Sequence, residues 1–250
     1  MRLVQLSDIH VGGLFVQSVF DAVVSEVNEL RPDAIVITGD LTDDGILPQF
    51  EKARSEIKRF QCPNIIVIAG NHDYRHTGYL LFKKFFPSKH VYEFDEAVIV
   101  TLGTARPDRD EGEVGYRQNL WMEKTLSKYG DPKVKVVAMH HHLVGIPDTG
   151  TDKILILDAG DTLLACLQSK VDLVLCGHKH RPWEWNLGPL EIAYAGTASS
   201  TRFRGFFENA YNIIEIKNGE VEVDIKIVGK KRFPLADLVE RYKPFLEGEA

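Results

Sequence analysis

Short apolar runs alternate with amphipathic stretches through the first half of the chain. The runs at 3–6, 34–38 and 65–69 each end at a polar residue or a glycine and predict buried strands. Apolar residues recur at the spacing of one helix face over 16–30 and again over 47–60. Strands that read as continuous apolar runs and are joined by helices are typical of a parallel sheet covered on both faces. The pattern alone therefore favours an α/β fold with a single doubly wound sheet.

The second half of the chain has the same kinds of element in a less regular order. Strands are predicted at 98–102, 134–139 and 171–176, with helices over 118–126 and near 158–168. Strand and helix still alternate here, which again is typical of an α/β protein.

Beyond residue 177 the helical patterns give way to consecutive strands. These strands are predicted at 192–194, 210–216 and 221–228. The dipeptide Asn218-Gly219 predicts a tight hairpin between the last two. A helical stripe of apolar residues follows Pro234, and it either closes over the core or contacts a second copy in a homodimer. No repeat or linker interrupts the chain, so we expect a single domain over 1–250, with 205–250 as a C-terminal annex of a β-hairpin and a helix.

Composition narrows the functional classes. The 250 residues carry a formal net charge of -6 and include three cysteines, none of them in a Cys-x-x-Cys pair. An acidic chain without a disulfide framework fits the reducing cytoplasm and lacks the positive surface that stable nucleic-acid binding needs. No apolar stretch approaches the ~20 residues of a transmembrane helix, and the first strand begins too early for a signal peptide. We expect a cytoplasmic protein that neither spans a membrane nor binds nucleic acid stably.

Residues that commonly ligate metals follow five of the predicted strands. In chain order they are Asp8, His10, Asp40, Asn71, His72, His140, His178 and His180. Ligands bind an open α/β sheet at the carboxyl ends of its strands, so we expect these side chains to converge. Residues two apart in an extended segment point to the same side, so Asp8 and His10 can reach one ion. Each motif is common by itself, and their joint occurrence is what indicates a metal centre.

The ligand types also indicate which metals bind. Carboxylate and amide oxygens mixed with imidazole favour manganese, iron or zinc. Asp40 lies between two groups of ligands along the chain and is the expected bridge. We therefore predict two divalent metal ions, as a like or a mixed pair.

The combined motifs resemble a known family. They are Asp8-Ile9-His10, Gly39-Asp40, Gly70-Asn71-His72-Asp73, His140-His141 and Gly177-His178-Lys179-His180. The string resembles the calcineurin-like metallophosphoesterase superfamily. Within it, Gly39-Asp40-Leu41-Thr42-Asp43 and Leu175-Cys176-Gly177-His178, with Arg181-Pro182, are most similar to the class III cyclic-nucleotide phosphodiesterase branch. The resemblance covers about residues 1–200 and implies a four-layer α/β/β/α sandwich of two mixed sheets flanked by helices, in place of one doubly wound sheet.

The resemblance also implies a role for each matched residue. It assigns one ion to Asp8, His10, Asp40 and His180. It assigns the other to Asp40, Asn71, His140 and His178. His72 matches the family's general acid and Asp73 the carboxylate beside it, so these two are the expected catalytic residues. His140 is favoured over His141 as the ligand because it is the first residue past its strand.

Substrate-binding residues are expected at Asn71, His72, His141 and Arg202. The last of these comes from its own context, a glycine- and hydroxyl-rich turn at 196–204 that either holds a phosphate or faces solvent. This chain departs from the cyclic-nucleotide branch at His142-Leu143, where proline is usual, and at Gly103-Thr104, where Asp-Ser is common. Both departures lie where the substrate pocket is expected, so they leave the identity of the substrate open.

The expected function is hydrolysis of a phosphate ester. Two ions ~3.5–4 Å apart lower the pKa of a shared water, and the resulting bridging hydroxide attacks phosphorus in line. A phosphodiesterase for a nucleotide or a similar small substrate is favoured. Phosphomonoesterase and nucleotide pyrophosphohydrolase activities are the alternatives on the same site, and a non-catalytic scaffold on this fold is the alternative outside enzymes.

Overall fold

Two six-stranded sheets form the centre of the molecule. The computed structural model describes residues 1–87, 89–147, 149 and 155–240. Within these residues, the first sheet has the order β12-β11-β10-β1-β2-β3. Its strands are β1 (Arg2–Leu6), β2 (Ala34–Ile37), β3 (Ile65–Val67), β10 (Ala210–Lys217), β11 (Glu220–Ile227) and β12 (Arg232–Pro234). The second has the order β4-β5-β6-β7-β9-β8, with β4 (Val91–Glu93), β5 (Ala97–Thr101), β6 (Val134–Ala138), β7 (Leu173–Cys176), β8 (Trp183–Leu187) and β9 (Leu190–Tyr194).

Each sheet is mixed, with a parallel middle and antiparallel additions. In the first sheet β1, β2 and β3 are parallel, while β10, β11 and β12 join them antiparallel. In the second, β5, β6, β7 and β9 are parallel, and the edge strands β4 and β8 run antiparallel to their neighbours. The parallel strands of each sheet therefore present their carboxyl ends along one edge.

The described chain has six α-helices and one short 3-10 helix; all but the last α-helix lie between strands. The α-helices are α1 (Gln17–Leu30), α2 (Leu47–Ile57), α3 (Gly78–Phe85), α4 (Tyr116–Leu126), α5 (Ala159–Gln168) and α6 (Leu235–Glu240). The 3-10 helix His72–Tyr74 follows β3 directly. None of these helices combines the length and the apolar content that crossing a bilayer requires.

Three separate apolar cores show that the molecule has four layers. One core joins the first sheet to α1, α2 and α3, and another joins the second sheet to α4 and α5. The third lies between the two sheets. Strand residues alternate between cores, so Val4 packs toward the helices and Leu3 toward the other sheet. Three interfaces require four layers, which confirms the α/β/β/α sandwich that the family resemblance implied.

The expectation of a single doubly wound sheet is wrong. A continuous apolar run indicates that a strand is buried on both faces. In this fold the strands of both sheets are buried in this way, because each sheet packs against helices on one face and against the other sheet on the other. Which sheet a strand joins depends on long-range pairing that the local pattern does not encode.

The predicted hairpin is present between β10 and β11. Asn218 and Gly219 have φ angles of 54° and 84°, the left-handed values that a tight hairpin turn needs. The hairpin is built into the first sheet, because β10 pairs directly with β1. In α6 that follows, Leu235 and Leu238 are buried in the core between the sheets. The predicted continuation of this helix over 241–246 lies outside the described residues.

Candidate metal centre

The predicted ligands lie where the chain leaves the carboxyl ends of strands in both sheets. Asp8 follows β1, Asp40 follows β2 and Asn71 follows β3 in the first sheet, while His140 follows β6 and His178 follows β7 in the second. All of the predicted ligands are buried, with at most 8% of any of them exposed. The centre therefore spans two sheets rather than the edge of one.

The backbone at these strand ends is in an unusual conformation. Five ligand residues have positive φ angles: Asp8, His10, Asp40, His178 and His180. Positive φ is uncommon outside glycine and costs conformational energy, which the surrounding fold must offset. The prediction that Asp8 and His10 share a side because the segment is extended is therefore wrong in its reason. Both residues point to the same place, but through a left-handed backbone.

The glycines that precede the ligands leave no room for a side chain. A Cβ at Gly70 would lie 2.0 Å from Oδ1 of Asp40, and one at Gly177 would lie 2.0 Å from the Ser7 hydroxyl. Gly39 additionally has a φ of +99°, and a Cβ there would lie 2.4 Å from the His140 ring. These glycines allow strand ends from the two sheets to approach each other at the site.

One cluster of ligand atoms is formed by Asp8, His10, Asp40 and His180. Their nearest ligand atoms all lie within 4.8 Å of one another. The two Nε2 atoms of His10 and His180 are 2.9 Å apart, and Nε2 of His180 is 3.2 Å from Oδ1 of Asp8. This is the set that the resemblance assigned to one ion.

A second cluster surrounds the amide oxygen of Asn71. Its Oδ1 lies 3.1 Å from Nε2 of His140 and 3.0 Å from Nδ1 of His178. The Nε2 atom of His140 is also 3.5 Å from Oδ1 of Asp40. The other carboxylate oxygen of Asp40, Oδ2, is 3.7 Å from Nε2 of His10 in the first cluster. Asp40 thus has one oxygen toward each cluster, which is the position of a bridging ligand.

Hydrogen bonds behind the rings fix which nitrogen faces the site. His10 Nδ1 lies 3.1 Å from the Asp43 carboxylate, and His140 Nδ1 lies 2.7 Å from the carbonyl oxygen of Thr38. His180 Nδ1 bonds the carbonyl oxygen of Arg202. Because Nδ1 donates to an acceptor in each case, it is Nε2 that faces the centre, where it can bind a metal ion or a proton. Such outer hydrogen bonds typically orient metal-ligating histidines.

The resulting donor set fits a pair of cations. Two imidazole lone pairs face each other at 2.9 Å between His10 and His180, where they repel unless a cation lies between them. The Asp8 carboxylate has one oxygen, Oδ2, held by the Ser7 hydroxyl and the His178 N–H. Its other oxygen is buried and accepts no hydrogen bond from the described residues. A buried carboxylate oxygen without a donor is costly, and an ion among these four residues would satisfy it.

Electrostatic coupling keeps the bridging carboxylate ionised. Burial would raise the pKa of Asp40, but the imidazoles of His140, His72 and His10 hold it well below its usual range. Burial likewise opposes protonation of His140, yet the carboxylates of Asp40 and Asp8 raise the pKa of His140 to about 9. Negative charge at the centre therefore attracts a cation strongly, whether a proton or a metal ion.

His72 lies beside this centre, with its ring held between a carbonyl and two arginines. Nδ1 donates to the carbonyl oxygen of Asp43 at 2.7 Å. Nε2 accepts from the guanidinium groups of Arg75 and Arg202, each at 3.1 Å. Burial, with lesser contributions from His10 and Arg75, lowers the pKa of His72 despite the nearby Asp40 carboxylate. In this arrangement the ring is neutral, and Arg202 reaches the site as a side chain as well as through its carbonyl group.

Asp73 is placed away from the His72 ring. Its carboxylate accepts hydrogen bonds from the N–H groups of Leu41, Thr42 and Gly70 and from the Thr42 hydroxyl. Burial, with the Asp40 charge nearby, raises the pKa of Asp73 to about 7. The His72 ring is held by the Asp43 carbonyl, whereas Asp73 ties the loop after β2 to the end of β3.

The three consecutive histidines have different surroundings. Both ring nitrogens of His141 have protein partners, Nδ1 the Thr104 hydroxyl at 2.8 Å and Nε2 the Asp110 carbonyl at 3.0 Å. His142 donates from Nε2 to the carbonyl oxygen of Gly177 at 2.8 Å, and burial lowers the pKa of His142 to about 3. Only His140 directs a ring nitrogen at Asp40 and Asn71, and this geometry favours it over His141 as the ligand.

Comparison with protein-family models shows which family the chain belongs to. The model of the calcineurin-like phosphoesterases matches residues 1–182, which is most of the chain. The protein belongs to the calcineurin-like phosphoesterase family. Every ligand position discussed above lies within the matched segment.

Individual relatives are more distant. A Synechococcus protein described as a probable cyclic nucleotide phosphodiesterase is 30% identical over 64% of this chain and 62% of its own length. A probable glycerophosphodiester phosphodiesterase of Arcobacter nitrofigilis is 30% identical over 72% of each chain. The crystal structure of a zebrafish (Danio rerio) dimetal phosphatase has a TM-score of 0.73 at 12% identity, over 94% of this chain and 98% of that one. The matched segment thus spans less than two thirds of the Synechococcus protein, and the structural likeness concerns the fold.

In this family member a cavity of about 140 Å³ opens onto the two clusters. Besides ligand residues and His72, it is lined by Arg75, Asp110, Lys179, Arg202 and Arg204. Burial, with Arg204 and Arg202 nearby, lowers the pKa of Lys179 to about 8.

Sequence reasoning missed Asp43, Arg75 and Asp110. Asp43 has a signal in the sequence, since it lies three residues after Asp40 in a turn. Arg75 and Asp110 have none, because they reach the site from the segment after the 3-10 helix and from the charged loop at 106–113.

Proposed function

We propose that this protein is a dinuclear metal-dependent phosphodiesterase for a nucleotide or a similar small substrate. The observation that carries the proposal is the position of Asp40. Its two carboxylate oxygens face two separate clusters of imidazole and oxygen ligands, at 3.7 Å from His10 and 3.5 Å from His140. A centre with one shared carboxylate and two ligand sets is what two-ion hydrolysis of phosphate esters requires.

When bound, a pair of divalent ions supplies an acidified water as nucleophile and neutralises charge on the phosphate oxygens. Manganese, iron and zinc are the metals we propose, from the mixture of carboxylate, amide and imidazole ligands. The residues would be Asp8, His10, Asp40 and His180 for one ion, and Asp40, Asn71, His140 and His178 for the other.

The chain's own cations would position the phosphate group. Arg75 and Arg202 both direct their guanidinium groups at Nε2 of His72. The two guanidinium groups and the imidazole therefore lie together at one wall of the cavity. An anionic oxygen there accepts charge-assisted hydrogen bonds from a preorganised pair of arginines. The substrate-binding roles of Asn71, His141 and Arg202 belong to the same proposal.

His72 is the proposed proton donor to the leaving ester oxygen. The Asp43 carbonyl holds Nδ1–H, which directs Nε2 into the cavity. The two arginines now donate to that atom, so a proton at Nε2 requires them to turn toward the bound phosphate. Asp73 supports this arrangement indirectly, by fixing the loop after β2 that carries the Asp43 carbonyl.

Both curated relatives named above are described as acting on phosphodiesters, which supports a diester over a monoester substrate. Phosphomonoester and nucleotide pyrophosphate hydrolysis use the same centre and are the second candidates. A scaffold without catalysis is disfavoured because every ligand position is filled and the ligand atoms converge. The three cysteines, Cys62, Cys166 and Cys176, are free thiols. Free thiols are typical of proteins in a reducing compartment, and we propose that this compartment is the cytoplasm.

The proposal is tested by metal content and a substrate panel. Protein loaded with Mn²⁺ should bind two ions per chain and hydrolyse cyclic nucleotides and bis-p-nitrophenyl phosphate with a kcat/KM about tenfold or more above that for p-nitrophenyl phosphate or a dinucleotide pyrophosphate. Asp40→Asn should lose both metal and turnover, with Asp44→Asn as the matched control. A reversed preference would establish one of the second candidates, and a chain with neither metal nor turnover would be a scaffold.

A further inference from the structure

Four cationic side chains line the cavity over the metal centre. They are Arg75, Lys179, Arg202 and Arg204, and the one carboxylate that lines it outside the ligand set is Asp110. A phosphodiester has a single negative charge. The cavity wall therefore has more positive charge than the scissile phosphate of a simple diester can balance.

Two of the four cations already have partners. Arg75 donates to His72 and to the Asp43 carbonyl, and it lies 4.0 Å from the Asp110 carboxylate. Arg202 donates to His72. Both meet at the position that the proposed function assigns to the scissile phosphate.

The other two cations, Lys179 and Arg204, have no such partners among the described residues. Among the described residues, the Lys179 ammonium group makes no hydrogen bond and no ion pair, although only 8% of the residue is exposed. The Arg204 side chain is half-buried, and its Nε atom is fully buried without an acceptor. Both side chains line the same cavity, and the Arg204 charge adds to burial in lowering the pKa of Lys179, although Asp110 and Asp8 oppose this. Partly buried cations that face one cavity without an acceptor favour an anion bound between them.

We propose that Lys179 and Arg204 form a subsite for a second phosphoryl group of the substrate, separate from the phosphate that is hydrolysed. The inference rests on the proposed function and narrows it: the substrate class is a phosphodiester that also carries a terminal phosphate. Lys179 lies between the ligands His178 and His180, so the subsite begins immediately beside the metal centre. A terminal phosphate would supply the acceptor oxygens that both side chains lack.

A matched pair of substrates tests the subsite. The dinucleotides ApA and pApA have the same scissile diester and differ by one terminal phosphate. For the Mn²⁺-loaded wild type we expect kcat/KM for pApA to exceed that for ApA by about tenfold or more, the effect of charge-assisted hydrogen bonds to one phosphate. Lys179→Met and Arg204→Met should each reduce this ratio toward one, mainly through KM. Lys217→Met, which removes an exposed lysine on β10, should keep it.

A measurement without turnover accompanies the kinetics. Metal-free protein in EDTA should bind inorganic pyrophosphate by calorimetry, with a Kd about tenfold weaker in Lys179→Met than in Lys217→Met. Equal kcat/KM for ApA and pApA in the wild type would overturn the subsite and leave the phosphodiesterase proposal standing. The subsite would also be overturned if Lys179→Met and Arg204→Met both kept the wild-type ratio of kcat/KM for pApA to that for ApA. Equal pyrophosphate affinity in Lys179→Met and Lys217→Met would overturn it as well. Hydrolysis of neither dinucleotide would instead count against the phosphodiesterase proposal itself.

Discussion

Asp43 shows at the residue scale how a side chain outside the ligand set can govern metal binding. Its carboxylate lies 3.1 Å from Nδ1 of His10 and so fixes the ring with Nε2 toward the centre. Burial raises the pKa of Asp43, but His10, the Leu14 N–H and His72 together outweigh this and lower it overall. The carboxylate therefore stays ionised and makes His10 a better ligand.

We predict that Asp43→Asn weakens Mn²⁺ binding by about tenfold to a hundredfold, the usual effect of removing a carboxylate behind a ligating histidine. Asparagine can still accept the hydrogen bond but supplies no charge. Titration calorimetry of the metal-free protein measures the change. Asp44→Asn, at the exposed neighbouring position, is the control, and equal affinities for the two variants would show that Asp43 does not act through His10.

The proposed role of His72 as proton donor can be tested with substrates whose leaving groups differ in basicity. An alkoxide leaving from a cyclic nucleotide needs a proton, whereas nitrophenolate leaves readily without one. We predict that His72→Ala lowers kcat on 3′,5′-cyclic AMP by about 10²–10⁴-fold and on bis-p-nitrophenyl phosphate by far less. His76→Asn, at an exposed position nearby, should affect neither. An equal loss on both substrates would assign His72 to positioning of the arginines rather than to proton transfer.

At the scale of elements, a polar contact joins the two sheets within an otherwise apolar core. Gln5 on β1 donates to the carbonyl oxygen of Cys176 on β7 at 2.8 Å, and it accepts from Asn212 on β10 at 2.9 Å. Asn212 also reaches the carbonyl oxygen of Tyr194 on β9. Both side chains are fully buried. Gln5 is the second-last residue of β1 and Cys176 the last residue of β7, so the contact fixes one sheet relative to the other close to the site.

We predict that Gln5→Leu destabilises the fold by about 1–3 kcal/mol, because Asn212 loses a buried acceptor. The double variant with Asn212→Leu should lose less than the sum of the single changes, since both polar partners are then gone. Urea unfolding measures the free energies, with exposed Gln61→Leu as the control. Additive losses would show that the two side chains act independently.

The strands that could be predicted are those whose character is local. The buried runs of β1, β2, β5, β6 and β7 and the Asn218-Gly219 turn all identify themselves through their own residues. The edge strand β4 and the helix α3 were not predicted, because three residues and eight residues respectively are too short for a clear period. The outer strand β8 is only partly buried and mixes Trp185 with polar neighbours, so it gives no clean alternation.

The candidate site also has features that could be predicted from the sequence and features that could not. The convergence of ligand-type residues at strand ends was predictable because these residues directly follow apolar runs; their assignment as metal ligands stays a prediction. The hydrogen bonds that orient them were not predictable, because Thr38 and Arg202 act through carbonyl groups that any residue has. The role of Asp73 also depends on folding, since its partners come from two loops.

At the scale of the whole molecule, the metal centre joins two sheets that elsewhere meet mainly through an apolar core. Asp8, Asp40 and Asn71 come from the first sheet and His140 and His178 from the second. Without metal, Oδ1 of Asp8 has no hydrogen-bond donor among the described residues, and the Nε2 atoms of His10 and His180 face each other at 2.9 Å and repel. Bound cations would remove that repulsion and connect the sheets, so the overall stability of the fold should depend on metal.

We predict that Mn²⁺ at about 100 times its Kd stabilises the protein by about 2.7 kcal/mol per independent site, because the unfolded chain lacks the assembled ligands. For a chain of this size that corresponds to a rise in Tm of roughly 5–11 °C, measured by scanning calorimetry with EDTA-treated protein as the reference. Asp40→Asn removes the ligand shared by both clusters and should lose most of this rise, although the neutral residue relieves repulsion in the metal-free state. Asp44→Asn should keep the full rise. If Asp40→Asn responded to Mn²⁺ as Asp44→Asn does, the shared carboxylate would not be what holds the ions between the two sheets.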